Sequence, residues 1–254
     1  MARLPSVFIS HGSPMHALDP GAAGEAWAEL GRRLGKPRAI LIASAHWETN
    51  VPMLTGNPKP ETIHDFSGFP QPLYKLRYPA PGAPDVAQRA QALLKDAAID
   101  GSRGLDHGAW APLLYVYPDA NVPVVQISVQ PASGPRHHVE VGRSLKKLSE
   151  EGVLIIGSGH MTHNLRDWAR GSGKPQPYAR EFSDWVREKM EKRDLEALAD
   201  YRSLAPHAAR AHPTEEHFLP LFFALGASGH QGSPERIYDG IEGGVLAMDS
   251  YVFH

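Results

Sequence analysis

A chain of 254 residues has the length of one α/β domain with a sizeable core, and 26 basic against 28 acidic residues leave a formal charge of -2, too little to collect nucleic acid or an anionic membrane surface. Cysteine is absent, which excludes disulfides, thiolate metal sites and a cysteine nucleophile together, so any metal must be held by nitrogen and oxygen. The apolar run Val7–Ile9 is too brief for a signal-peptide core or a membrane span; a cytoplasmic location and a small-molecule partner are expected.

In chain order, Ser6–Ser10 reads as a strand, Ala22–Leu34 as a helix and Arg38–Ser44 as a second strand. The proline-rich stretch Asn57–Pro84 predicts little regular structure, and a loop of that length is a candidate active-site wall. Val122–Val129 reads as a third strand, Val139–Glu151 as a polar helix and Val153–Gly157 as a fourth strand. The C-terminal third reads as helical over Tyr178–Arg193, Asp194–Tyr201 and Thr214–Leu225, then as a strand over Val245–Phe253. Strands alternating with helices predict an α/β fold: a single three-layer αβα domain over 1–254 with a mostly parallel central sheet.

Histidine is the outlier of the composition, with 14 residues, and three of the predicted strands end in it: at His11, at His46, and at His160 and His163. In open α/β sheets ligands bind beyond the carboxyl ends of the strands. Two neutral imidazoles plus one further nitrogen or oxygen ligand leave room on a metal for substrate and O2, the arrangement of non-haem Fe(II) sites. His11 and His46 are the first two candidates, and Pro213-Thr214-Glu215-Glu216-His217-Phe218 offers the third. On a helix whose apolar face is Phe218, Leu221, Phe222 and Leu225, Glu216 points away while Glu215 and His217 lie on the borders, so periodicity does not choose between those two.

The motifs S-H-G-S-P at 10–14, S-A-H-W at 44–47, T-I-H-D-F-S-G-F-P at 62–70, D-H-G-A-W at 106–110, T-H-N-L at 162–165 and P-T-E-E-H-F-L-P at 213–220 run in order along nearly the whole chain. In them the sequence resembles the class III extradiol ring-cleavage dioxygenases, in the 4,5-DOPA dioxygenase-like (LigB-type) branch. The resemblance implies a dioxygenase that opens a catechol-type ring, such as that of DOPA, and incorporates both atoms of O2 at non-haem Fe(II). Carried over by motif, the metal ligands are His11, His46 and His217, with His163 close by, and His163 and His107 are the groups that move protons. Protocatechuate-cleaving relatives use a glutamate as third ligand, and three histidines also suit Zn2+. A zinc-dependent hydrolase is therefore the alternative activity, and a metal-binding regulatory module without catalysis a third.

His64 and Asp65 in the proline-rich loop, and Asp106 beside His107, are weaker candidates for substrate contact, with turn or capping roles as the alternative. Lys75, Arg77 and Arg166 are candidates to meet a substrate carboxylate. His160 is read as standing behind the ligands, His137 and His138 as surface residues, and His207 and His212 as open between pocket wall and loop. Trp47, Trp110 and Tyr74 are read as core or pocket wall. A monomer or homodimer is the base-rate expectation.

Overall fold

The structure, a computed structural model, describes residues 3–171, 173–229 and 234–254. Its strands are β1 (Ser6–Ser10), β2 (Ala39–Glu48), β3 (Met53–Thr55), β4 (Ala98–Asp100), β5 (Val124–Val129), β6 (Val153–Gly159), β7 (Pro234–Tyr238), β8 (Ile241–Glu242), β9 (Leu246–Ala247) and β10 (Ser250–Phe253). Eight of them form one sheet in the order β4-β3-β5-β2-β6-β1-β10-β7, and β8 and β9 make a separate small ribbon. The four central strands, β5, β2, β6 and β1, are mutually parallel. Antiparallel pairings join β3 to β5 on one side, and β10 to β1 and β7 on the other.

The central strands are aliphatic on both faces because both faces are covered. Val7, Ile9, Ile40, Ile42, Leu154 and Ile156 pack under α1 (Gly21–Leu34), the proline-rich loop with α2 (Gln71–Lys75) and α4 (His107–Val116), whereas α3 (Pro84–Leu93) packs with the cluster on the other face. Alternate residues Leu41, Ala43, Val153 and Ile155 face the opposite layer, with α5 (Gly134–Glu150). That layer continues through α7 (Pro177–Glu191), α8 (Leu195–Ala199), α9 (Tyr201–Leu204), α10 (Ala208–Ala211) and α11 (Leu219–Ser228), while the short α6 (Leu165–Arg170), with no buried residue, lies apart from the core clusters. The expected α/β class, three layers and mostly parallel sheet are all present.

The expected helix over Thr214–Leu225 begins only at Leu219; the residues before it form a turn, with the Phe218 N–H donating to Glu215 O at 2.9 Å. Every residue of α11 is buried, so it has no polar face from which a periodicity argument could start. The expected strand Val245–Phe253 is broken into β9 and β10, and β2 runs four residues beyond Ser44.

Candidate metal centre and active site

Three parallel strands end side by side, and histidines follow from their ends. His11 comes directly after β1, His160 directly after β6, and the two backbones stay in register through the His11 N–H donating to Gly159 O at 3.0 Å. His46 lies within β2, where Ala43 faces Ile127 of β5 but Glu48 faces Val129, so five residues of advance on β2 match two on β5. Such a bulge re-aims side chains. Its geometry is held by Ser44, whose Oγ donates to Asp106 Oδ1 at 2.6 Å and accepts from the His46 N–H at 3.2 Å. His217 arrives in the turn before α11, its carbonyl accepting from the His160 N–H at 2.7 Å. That approach requires glycine at 159, because a Cβ there would lie inside the van der Waals shell of the His217 carbonyl oxygen.

The result is a convergence of imidazoles. Nε2 of His46 lies 3.0 Å from Nε2 of His11 and 3.3 Å from Nε2 of His217. Nitrogens bonded to one cation at roughly 2.0–2.1 Å sit roughly 2.9–3.4 Å apart at bond angles between 90° and tetrahedral. The three side chains form a group able to hold a metal ion. Burial, reinforced by the neighbouring histidines, lowers the pKa of all three, His46 to about 3, so each enters as a neutral imidazole with a lone pair to give.

Each ring is also turned so that the lone pair falls on Nε2. The His11 Nδ1–H donates to Ser158 Oγ at 3.0 Å, and Ser158 is held as the acceptor because its own proton goes to the Gly108 carbonyl. That carbonyl is free to receive it because its helical partner four residues on is Pro112, which has no N–H. The His217 Nδ1–H donates to Glu216 Oε1 at 2.8 Å. His46 turns Nδ1 toward Asp65 Oδ2 at 3.6 Å, beyond hydrogen-bonding length but on the side that leaves Nε2 facing the other two. Partners of this kind fix tautomer and ring orientation in metal-binding histidines. An all-nitrogen, neutral, pre-oriented donor set fits a divalent transition metal.

Two further histidines flank the cluster. His107, the first residue of α4, lies with its ring 3.9 Å from that of His46, centre to centre. Asp65 accepts its backbone N–H at 2.9 Å and its Nδ1–H at 2.9 Å. Burial pushes the Asp65 carboxyl up, but the hydrogen bonds from His107 outweigh it and hold Asp65 down at about 2. His163 stacks on His217, 3.5 Å between centroids and 13° between planes, and its ring makes no hydrogen bond among the described residues. Burial first, then His46 and His107, lower it to about 3. Above the histidines opens a cavity of about 530 Å³ whose upper wall is Pro14, Phe66, Phe69, Leu165, Trp168 and Leu246.

The comparisons with known proteins agree with this geometry. Residues 5–245 match the family described as the catalytic LigB subunit of aromatic ring-opening dioxygenase. The chain belongs to the LigB family. It is 42% identical to 4,5-DOPA dioxygenase extradiol of Beta vulgaris, over 97% of this chain and 95% of the relative, and 39% identical to the protein of that name from Escherichia coli, over 97% and 93%. An uncharacterized protein of Escherichia coli K12, known from its crystal structure, superposes with a TM-score of 0.85 at 34% identity over 99% of this chain and 100% of that one. This LigB-family chain is an extradiol ring-opening dioxygenase, acting with O2 on a small aromatic molecule at a metal-binding site.

Within this LigB-family chain, the other residues singled out in the sequence fall into place around the site. Asp65 lines the cavity, whereas His64 does not; its Nε2–H donates to Leu76 O at 3.2 Å, among the rings of Phe66, Tyr74 and Trp110. Asp106 is fully buried beneath the site, its carboxylate taken by Ser44, Gln126 and Arg103, so it holds the β2 bulge instead of facing the cavity. Glu216, set aside on periodicity, stands beside His163 and His217 because the helix register behind that reasoning does not exist there. Glu215 turns away to Tyr201 and Arg202. His160 lines the cavity and packs its ring 4.9 Å from that of His11, with Nδ1 left without a partner among the described residues.

The expectation for His138 as a surface residue changes, and the open one for His207 and His212 is decided. His138 is buried, donating from Nδ1 to Gly134 O at 2.8 Å and accepting the Gln130 N–H at 3.0 Å. His207 is exposed beside Glu181, and His212 is buried against Phe218 with Nε2 donating to Met161 O at 2.8 Å; neither lines the cavity. Ser158 went unread because nothing in its local sequence signals its partner Gly108, 50 residues away, and Pro112 because the N–H it lacks matters only through that contact.

Proposed function

We propose that the enzyme opens a catechol-type ring, the class to which the DOPA of its named relatives belongs, with residues 1–254 acting as one catalytic domain and Fe(II) held by His11, His46 and His217. The observation that carries the reading is the convergence of three neutral Nε2 lone pairs on one point at the floor of an apolar cavity. Fe(II) held there would supply the redox chemistry that O2 requires and would lower the pKa of hydroxyls bound to it.

The proton work falls to the chain. Asp65 occupies the Nδ1–H of His107, so the free Nε2 of that ring is the one to take a proton from a catechol hydroxyl. His163, neutral on entry and with no ring hydrogen bond among the described residues, takes or returns a second proton on the His217 side of the site. Phe66 and Trp168 cover the ring and exclude water. The test is O2 consumption with simultaneous visible absorbance, on protein loaded anaerobically with Fe(II) or with Zn2+ and mixed with a catechol panel in air. Mole-for-mole uptake with a new yellow chromophore under Fe(II), and none under Zn2+, is expected. Silence across the panel under Fe(II) would overturn the reading.

A further inference from the structure

Beyond its histidines, the polar side chains lining the cavity are those of Asp65 and of Ser13, whose hydroxyl oxygen accepts from the Met15 N–H at 3.3 Å. Apart from the histidines, the charged side chain lining it is Asp65, and that carboxylate is committed to His107. No lysine or arginine lines it among the described residues. The cations nearby are already engaged or lie elsewhere. Arg103 donates to Asp106 and covers the Trp47 ring at 4.5 Å. Arg210 donates to Asp167 at 2.7 Å and lies 4.1 Å over Tyr178, and Arg77 donates to the carbonyls of Tyr74 and Leu76. Lys75 and Arg166 are outside the cavity wall, and Arg170 with Lys174 belongs to a separate hollow of about 170 Å³.

The upper wall is instead built from Phe66, Phe69, Leu165, Trp168 and Leu246. Leu165 and Trp168 are 53% and 49% exposed, which places them with Leu18, Val51 and Leu204 among the exposed large apolar side chains of the described residues, and these two line the cavity. Trp168 is seated against Gly243, where a Cβ would collide with the indole, so the backbone there makes room for the ring. A volume of about 530 Å³ lies within the range of about 300–1,000 Å³ typical of small-molecule sites, ample for a ring with a substituent.

We infer that the preferred substrate is a catechol whose ring substituent is neutral and apolar, a short alkyl or an aryl group, in place of the charged amino-acid tail of DOPA. This rests on the catechol reading above and adds the chemistry of the tail. The hydroxyls go to the histidine floor and the substituent goes to the wall formed by Phe66, Phe69, Leu165, Trp168 and Leu246, covering the half-exposed Leu165 and Trp168. A carboxylate placed there meets no cation and loses part of its water, which disfavours it about tenfold or more, whereas each buried methylene favours binding about fourfold.

The experiment is an anaerobic calorimetric titration of the Fe(II)-loaded full chain with catechol, 4-methyl-, 4-ethyl- and 4-propylcatechol, 3-(3,4-dihydroxyphenyl)propionate and DOPA, followed by O2 uptake with the same compounds. The expected result is affinity rising about fourfold per methylene, with the propionate and DOPA at least about tenfold weaker than propylcatechol. Trp168→Ala should flatten the alkyl series, propylcatechol losing about tenfold, and Trp168→Phe should restore most of it. Equal or tighter binding of the acids overturns the inference while leaving ring opening intact, and an alkyl series that stays steep in Trp168→Ala overturns the assigned wall. Absence of O2 uptake with every compound would sink the catechol reading itself, and the binding order would still decide the tail.

Discussion

The floor and the mouth of the cavity are built on opposite principles. At the floor, His11, His46 and His160 come from the ends of paired parallel strands, and the Nδ1 atoms of His11 and His217 are hydrogen-bonded to Ser158 and Glu216. At the mouth, Leu165 and Trp168 sit on α6, a helix of six residues, opposite Phe66 and Phe69 from the proline-rich loop. The difference teaches where each property resides. Metal and proton chemistry need geometry held to fractions of an ångström and sit at the strand ends or on residues tied to them, His217 through the His160 N–H and His107 beside Asp106, which Ser44 of β2 holds, whereas the proposed choice of substrate rests on short elements whose side chains change at small cost to the fold.

The sharpest way to break the floor is to remove one of the proposed ligands. His46→Ala or His217→Ala should lower metal affinity and ring-opening activity by more than about a hundredfold, beyond the roughly 10–100-fold range for loss of a ligand's hydrogen-bonding partner. Anaerobic metal titration beside O2 uptake checks this, and a chelator should reproduce the loss reversibly in the unaltered enzyme. Gly159→Ala comes next: its Cβ would press on the His217 carbonyl, so metal binding should fail and stability should fall by about 2–3 kcal/mol, read from the urea midpoint. A Gly159→Ala protein that keeps both would mean that His217 is not held by this close approach.

Smaller effects follow along the line from Pro112 to His11. Ser158→Ala should cost about tenfold or more in metal affinity, because His11 loses the acceptor that fixes its tautomer. Pro112→Ala restores an N–H that competes for the Gly108 carbonyl and frees the Ser158 hydroxyl to donate to His11 instead. Metal affinity should then fall up to about tenfold while the unfolding midpoint holds or rises, since proline is disfavoured inside a helix. A loss of stability without loss of affinity would show that this line serves only the packing.

How much of this was legible in the sequence follows from the range of the forces involved. The four central strands announced themselves because a strand buried on both faces must be aliphatic throughout, and His11 and His46 could be placed because strand ends follow from those runs. α4 was not legible: Ala109, Trp110, Ala111, Pro112 and Leu113 are apolar on every side and include a proline, so the segment shows no helical period. The turn at 213–218 misled for a related reason, since the apolar run of α11 extends a period backwards over residues that are not helical. The cavity wall drew on Phe66, Trp168 and Leu246, three segments joined only by tertiary packing, and their local sequence carries no sign that they face one another.

The mouth gives the smallest and most discriminating test. Leu165 is already half exposed, so Leu165→Ser removes little buried apolar area and should change stability by no more than about 0.5 kcal/mol. If the residue serves only to close α6, kinetics should be equally indifferent. If it lines the path of the substrate's apolar substituent, KM for propylcatechol should rise several-fold while kcat stays near that of the parent enzyme, because a contact made equally in the bound and transition states is lost from binding alone. A fall in kcat at constant KM would instead place Leu165 in the ordering of the ring over the histidines, and the separation of floor from mouth would have to be redrawn one helical turn deeper.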